Sequence, residues 1–430
     1  MLGLVLEGGG AKGAYHIGAY EALIELGFEF DGVAGTSIGA LNGALIAQGD
    51  YARARRLWEE LEPGELFQVD AERLEEIFNM DLDRDNLGYI LSKAKEIIKN
   101  RGIEVEGIRK VIEENVVEEK LRSRGKDFGM VTFSLSDMEP LELLVEDIPE
   151  GRLAEYIMAS CYLPTFKMEK LADKYFLDGG FYDNLPINLL LQKDYDRIIA
   201  VRTFSRGRIR PVDDSGVQIE YIEPAEDLGR VLEFDHDQIL RNIKLGYYDT
   251  HRFYRNLRGN RYYIEPEIDI AAEKAGLKQV EVKEKSVWEE KHFLQMFLQI
   301  PEEDIEEAAE LLGDYNLPAR RLLLEVLIPR LQELLEIDET ADYSEIFLSC
   351  LELLALELEI EQFEFYSLSE FWEKISCYYK PQLKQGNHRV PKFIKRSDLL
   401  SFTIREDLAG QLIATLFSSL LQQEQLPGIL

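Results

Sequence analysis

Short apolar runs recur along the first half of the chain, at 2–6, 32–36, 130–135, 141–145, 175–177 and 198–204. Each has the length of a buried strand and is bounded by turn-forming residues. Two are followed at once by helical patterns. Residues 14–26 carry Ile17, Leu23 and Leu26 near helical spacing, and 38–48 are apolar and small throughout. This alternation predicts helices packed on a central sheet. Between 51 and 126 the composition turns charged, with RARRLWEELE and YILSKAKEIIKN, which predicts a helical insertion. A short VQIEYI stretch at 217–222 precedes a further helix, DHDQILRNIKLGYYDTHRFYRNL, and NRYYIEPEIDI reads as a last extended segment. From about Ala271 to Leu430 strand signals fade and acidic amphipathic stretches such as EEDIEEAAELLGDY and EIFLSCLELLALELEIEQF take over. The predicted organisation is therefore 1–270, with an insertion around 51–126, and an acidic, mainly helical 271–430. There is no internal repeat and no low-complexity tract.

Charge narrows the partners. A formal net charge of −32 over 430 residues argues against nucleic acid, whose phosphates call for Lys and Arg. It also works against general attraction to anionic membranes, although a local basic patch could still bind one. Cys161, Cys350 and Cys377 have neither disulfide-framework nor metal-ligand spacing, so a reducing compartment, the cytoplasm, is the simpler expectation. The first apolar run lacks a basic leader and is too short for a secretory core, and no stretch approaches a membrane span. The expected protein is soluble or at most peripheral, with no metal and no cofactor.

Three glycine-marked stretches carry candidate chemistry. In LVLEGGGAKGAYHIG, Gly8, Gly10 and Gly13 satisfy G-x-G-x-x-G between a strand and a helix, the pattern of a dinucleotide site. Backbone N–H groups of such a loop can equally hold an oxyanion. In FDGVAGTSIGALNGALIAQ, Gly35, Ser37 and Gly39 form G-x-S-x-G between an apolar strand and a small-residue helix. A serine on that sharp turn exposes its hydroxyl, with the Ile38 N–H facing the reacting carbonyl. In KYFLDGGFYDNLPINLL, Asp178 stands between a short apolar strand and the pair Gly179 and Gly180. Alone it reads as a turn, but a carboxylate at a strand end can also serve as the base a serine needs.

In this order, Gly8-Gly9-Gly10-Ala11-Lys12-Gly13, Gly35-Thr36-Ser37-Ile38-Gly39 and Asp178-Gly179-Gly180 resemble the motifs of the patatin-like phospholipases. The resemblance covers roughly the first half of the chain and extends to ASCYLPTF before the aspartate. It implies a three-layer α/β/α sandwich with a mostly parallel sheet. It also implies a serine lipid acyl hydrolase with a Ser37–Asp178 dyad, no histidine, and an oxyanion loop at Gly8, Gly9, Gly10, Lys12, Gly13 and Ile38. Lys12 occupies a position where Arg is common in the family. The implied substrate is a phospholipid or another acyl-ester lipid; a thioesterase or small-ester esterase remains open, as does a partner-binding role for the acidic helices.

The nucleotide readings fit less well. Glu29 and Asp31 precede the second strand instead of closing it, Glu7 would place negative charge beside a pyrophosphate, and Gly13 is followed by Ala14, not by the Lys and Ser or Thr of a P-loop. His236 and His251 follow Asp178 as a triad histidine would, but their charged helical context predicts solvated side chains, and His16 is expected to pack or hydrogen bond. An Asp near its ordinary pKa of ~3.9 is a weak base for serine, which would shift catalysis toward the oxyanion loop. Two basic stretches, RIIAVRTFSRGRIR and KPQLKQGNHRVPKFIKR, interrupt the acidity; they read as solvated faces, and the second would suit peripheral contact with lipid.

Overall fold

The computed structural model describes residues 1–61, 104–164, 166–212, 216–266, 287–313, 315–338, 340–384 and 400–422. The chain divides into two compact units, Met1–Phe253 and Tyr254–Leu430.

The first unit is built on seven strands: β1 (Leu2–Leu6), β2 (Gly32–Thr36), β3 (Asp127–Ser134), β4 (Glu139–Leu144), β5 (Phe176–Asp178), β6 (Arg197–Val201) and β7 (Gln218–Ile222). Their order is β4-β3-β2-β1-β6-β7, with β5 also paired to β3. The β3–β2, β2–β1, β1–β6 and β6–β7 pairs are parallel; β4 and β5 run antiparallel to β3. Parallel strands covered on both faces need apolar residues at successive positions, which explains LGLVL, GVAGT and the IIAV of β6.

Helices supply the covers. The relevant ones are α1 (Ala14–Glu25), α2 (Ile38–Ala47), α3 (Tyr51–Glu60), α4 (Glu106–Asn115), α5 (Leu153–Ser160), α6 (Ile187–Leu191) and α7 (His236–Arg255). On one face Val5, Ala34, Val131, Ile198 and Ala200 pack with Ile187, Leu189 and Leu190 of α6. On the other, α2 comes close over Leu6, Val33 and Phe128 at Gly43. This is the expected three-layer arrangement with a mostly parallel sheet, its strands lying within three residues of the expected ends. Of the expected insertion, α3 and α4 are seen, while 62–103 lies outside the described residues.

Helix α7 corrects the expectation for one histidine. Ile239, Asn242, Ile243, Gly246, Asp249 and Thr250 form its buried face, and the Tyr15 hydroxyl of α1 donates to Asp249 Oδ2 at 3.2 Å. His251 continues that face. It is 6% exposed, with its ring centroid 4.6 Å from that of Tyr247, instead of solvated as its charged neighbours suggested. His236, at the helix start, is exposed as expected.

The second unit is helical among its described residues, apart from Tyr263–Ile264 paired in parallel with Phe365–Tyr366. The segment NRYYIEPEIDI thus places its strand beside a distant partner of this unit. Its largely aliphatic core holds an aromatic cluster: Phe347 meets Phe297 and Phe417 edge-on at 5.7 and 5.4 Å and stacks on Trp372 at 6.2 Å between centroids. No helix among the described residues is long and apolar enough to cross a membrane.

Candidate active site

Three chain reversals meet at one edge of the sheet. The first leaves β1 at Glu7, a fully buried carboxylate whose Oε2 accepts from the Thr203 N–H at 2.7 Å, Arg202 Nε at 3.0 Å and the Phe204 N–H at 3.2 Å. The glycines follow. Gly8 N–H donates to the Asn184 carbonyl at 3.0 Å, and Ala11 N–H to the Val231 carbonyl at 2.7 Å. Between them Gly10 has φ +56°, and a Cβ there would lie 2.0 Å from the Val231 carbonyl oxygen, so only glycine fits. Lys12 N–H bonds back to the Gly9 carbonyl at 3.2 Å, and Lys12 Nζ stands 4.0 Å from Asp227. Asn42 fixes the helix start by donating to the Gly13 carbonyl at 2.9 Å, and its Oδ1 accepts from Trp58 Nε1 at 2.9 Å. Among the described residues no acceptor takes up the Gly9, Gly10 or Ile38 N–H.

The second reversal is the turn from β2 into α2. Ser37 sits at φ 56°, ψ −125°, a conformation L-residues rarely adopt and which costs about 1–3 kcal/mol. A Cβ at Gly39 would come 2.3 Å from the Leu6 carbonyl oxygen, so glycine there lets the helix press against β1. The Ser37 N–H donates to Ser160 Oγ at 2.9 Å, whose hydroxyl donates to the Val131 carbonyl at 2.7 Å. Thr36 Oγ1 donates to the Asp183 carbonyl at 2.7 Å. Both ends of the elbow are therefore tied down.

The third reversal follows β5. Strand β3 acts as a ruler: Thr36 of β2 is opposite Val131, and Asp178 of β5 is opposite the next residue, Thr132. The two short strands meet end to end along it. Ser37 Oγ donates to Asp178 Oδ2 at 2.5 Å, and Oδ1 accepts from the Gly180 N–H at 2.8 Å. Asp178 is 4% exposed. Burial pushes its carboxyl up to about 6, against the downward pull of the Ser37 and Gly180 bonds. This corrects the expectation of an ordinary, weakly basic aspartate.

Ser37 opens onto an apolar cavity. Leu41 of α2, Leu57 and Trp58 of α3, Ile108 and Val111 of α4, and Cys161, Phe166, Leu232 and Phe234 line it. The Trp58 and Phe234 rings stack at 6.3 Å. Histidine is absent from this lining. His16 is fully buried with Nδ1 3.3 Å from Asn42 Nδ2, and burial lowers its pKa to about 3, which leaves the ring neutral.

The structure thus brings together Ser37, Ile38, Asp178, Gly180 and the Gly8–Gly10 loop. The motif residues Gly13, Gly35, Gly39 and Gly179 shape the backbone around them. Sequence reasoning gave no role to Ser160, Cys161 or Asn184. The first two lie in the flagged ASCYLPTF, and Asn184 follows Asp178 closely in the quoted third stretch; what they bond to depends on strand pairing that local sequence does not express.

Known proteins match the same region. Residues 4–191 match the patatin-like phospholipase family. Lysophospholipase NTE1 of Mycosarcoma maydis is 30% identical over 208 residues, 46% of this chain and 9% of that protein. Lysophospholipase nte1 of Aspergillus fumigatus is 29% identical over 225 residues, 51% of this chain and 12% of its own. Patatin-like phospholipase domain-containing protein 7 of Rattus norvegicus is 28% identical over 214 residues, 48% of this chain and 14% of its own. The aligned part is thus about a tenth of these relatives' length. VipD from Legionella pneumophila aligns over 98% of this chain and 93% of its own at 15% identity and a TM-score of 0.36, too distant to bear on fold or function. The sheet, the three reversals in their order and the sequence match over 4–191 agree in marking this part of the chain as similar to the patatin-like phospholipase family.

Proposed function

We propose that the first unit is a serine lipid acyl hydrolase, of phospholipase A or lysophospholipase type, working through Ser37 and Asp178. The observation that carries this reading is the 2.5 Å bond from Ser37 Oγ to a buried carboxylate at the mouth of an apolar cavity. Ser37 Oγ attacks the ester carbonyl carbon as its proton passes to Asp178 Oδ2. The carbonyl oxygen becomes an oxyanion, stabilised by the N–H groups of Gly9, Gly10 and Ile38, which have no acceptor among the described residues. The N–H groups of Gly8 and Lys12 bond within the fold and serve to hold the loop. Collapse of the intermediate expels the alcohol, which takes the proton from Asp178. Water then gives a proton to Asp178 and attacks the acyl-serine; as that second intermediate collapses, Ser37 Oγ takes the proton back and the fatty acid leaves.

A carboxyl raised to about 6 is a stronger base than an exposed aspartate and still mostly ionised at neutral pH. The cavity would take the acyl chain, since its lining offers almost only hydrocarbon. An alkyl fluorophosphonate tests the assignment directly. It should label Ser37 in the wild type and nothing in Ser37→Ala, and the variant should lose phospholipid and lysophospholipid hydrolysis by on the order of 10⁴-fold or more. Labelling of another serine, or activity retained in Ser37→Ala, rejects it.

A further inference from the structure

The stretch 202–210, RTFSRGRIR, takes no part in the chemistry proposed for Ser37, yet it is pinned to both loops around that serine. Thr203 Oγ1 donates to the Gly8 carbonyl at 2.7 Å, and the Arg208 N–H to the Gly180 carbonyl at 2.9 Å. It leaves β6, which is parallel to β1 and through it to β2, so it emerges at the sheet edge that carries the glycine loop and Ser37.

What the stretch shows to solvent is unusual for a solvated turn. Phe204 is 51% exposed and Ile209 40% exposed. Phe204 also has φ +48°, a region that bulky side chains avoid, and Glu7 holds it there through its bonds to the Thr203 and Phe204 N–H groups. The Phe204 ring lies 4.8 Å from the Arg202 guanidinium and still keeps about half of its surface, 51%, in water. The arginines divide into two sets. Arg202 pairs with Glu7 and Glu223, and Arg210 with Glu142. Arg206 and Arg208 are exposed and have no acidic partner among the described residues. In a chain of net charge −32, residues 202–214 hold four arginines against two aspartates.

We infer that 203–209 is a docking loop for the surface of an anionic phospholipid bilayer, with Arg206 and Arg208 on lipid phosphates and Phe204 and Ile209 at the acyl boundary. Guanidinium groups pair well with phosphate, and exposed apolar side chains between them gain by leaving water. Salt screens charges beyond about 8 Å, so acidic residues farther off do not cancel the local attraction. The inference adds to the hydrolase reading a surface that would bring Ser37 to its substrate, but binding itself needs no catalysis.

Binding is therefore read on full-length Ser37→Ala by co-sedimentation with vesicles. The protein should bind phosphatidylcholine vesicles containing phosphatidylglycerol, lose affinity as salt rises, and bind pure phosphatidylcholine far more weakly. Arg206→Ala and Arg208→Ala should each weaken binding about fivefold, and the double reversal Arg206→Glu/Arg208→Glu should abolish it at an unchanged melting temperature. In Phe204→Trp, the emission should shift to the blue on the vesicles. The inference is overturned if Ser37→Ala does not bind the anionic vesicles, if the folded double reversal binds as tightly as its parent, or if the Phe204→Trp emission does not move. Failure of hydrolysis in the wild type would leave this result standing, and an active enzyme that ignores vesicles would remove the docking loop alone.

Discussion

Both units bury carboxylates, and they treat them differently. In the second unit Glu352 Oε1 accepts from three consecutive backbone N–H groups, those of Asn260, Arg261 and Tyr262, at 2.8–2.9 Å. Such a carboxylate ties chain to chain. In the first unit Asp178 receives one backbone N–H on Oδ1 and leaves Oδ2 to a hydroxyl that can surrender its proton. Backbone donors keep their protons at any working pH, so a carboxylate held by them alone is scaffold. One that shares a proton with a side chain can do work.

Replacing the working carboxylate should show the largest difference. Asp178→Asn keeps the shape and removes the base, so kcat/KM on a soluble ester should fall by about 10²–10⁴-fold. The wild-type profile should rise about tenfold per pH unit up to about 6 and then level, because the protonated carboxyl cannot accept the serine proton. That limb should vanish in Asp178→Asn. Asp183, also raised by burial, to about 7, bonds the Leu185 and Arg210 N–H groups instead, so a limb that survives in Asp178→Asn would move the base to another group.

Gly10→Ala should have the next largest effect. Its Cβ would strike the Val231 carbonyl oxygen, so the loop must shift; kcat should fall by about 10²–10³-fold with little change in KM, because the lost donor acts mainly in the transition state. An equal rise in KM would mean that the loop binds ground-state substrate. The smallest effect on catalysis is expected in the second unit. Phe347→Ala should destabilise it by about 3–5 kcal/mol, visible as a lower melting temperature, while the folded enzyme keeps its turnover rate. A rate loss below the melting transition would end the division of labour between the units.

Much of the first unit was legible because its signals are local. The parallel strands betray themselves as apolar runs, and Ser37 and Asp178 each stand beside the glycines their turns require. What stayed hidden depends on distant partners. The basicity of Asp178 comes from burial, which no neighbour in sequence reports. The burial of His251 was written in the spacing of Ile239, Asn242, Ile243, Gly246 and Thr250, but the charged residues between them masked that face. Ser160 holds the Ser37 N–H only because α5 ends beside the elbow. The cavity joins residues of α2, α3 and α4 with Leu232 and Phe234, far apart along the chain. In the second unit the helices were legible from their amphipathic stretches, whereas the pairing of Tyr263 with Phe365 was not. The basic stretch at 380–396 falls largely outside the described residues.

The ruler strand has a consequence for how relatives should be recognised. Val131 and Thr132 are consecutive, so the meeting of serine and aspartate is set by backbone pairing one step apart on β3. A descendant that gained or lost a single residue in the middle of β3 would keep every glycine, the serine and the aspartate of all three motifs. It would nonetheless change which side chains share a face of the sheet. Inventory would classify such a chain as a hydrolase, and alignment of the motifs would agree. Its inertness would be visible only in the phase of one strand, which makes register, and not motif content, the feature that separates working members of such a lineage from retired ones.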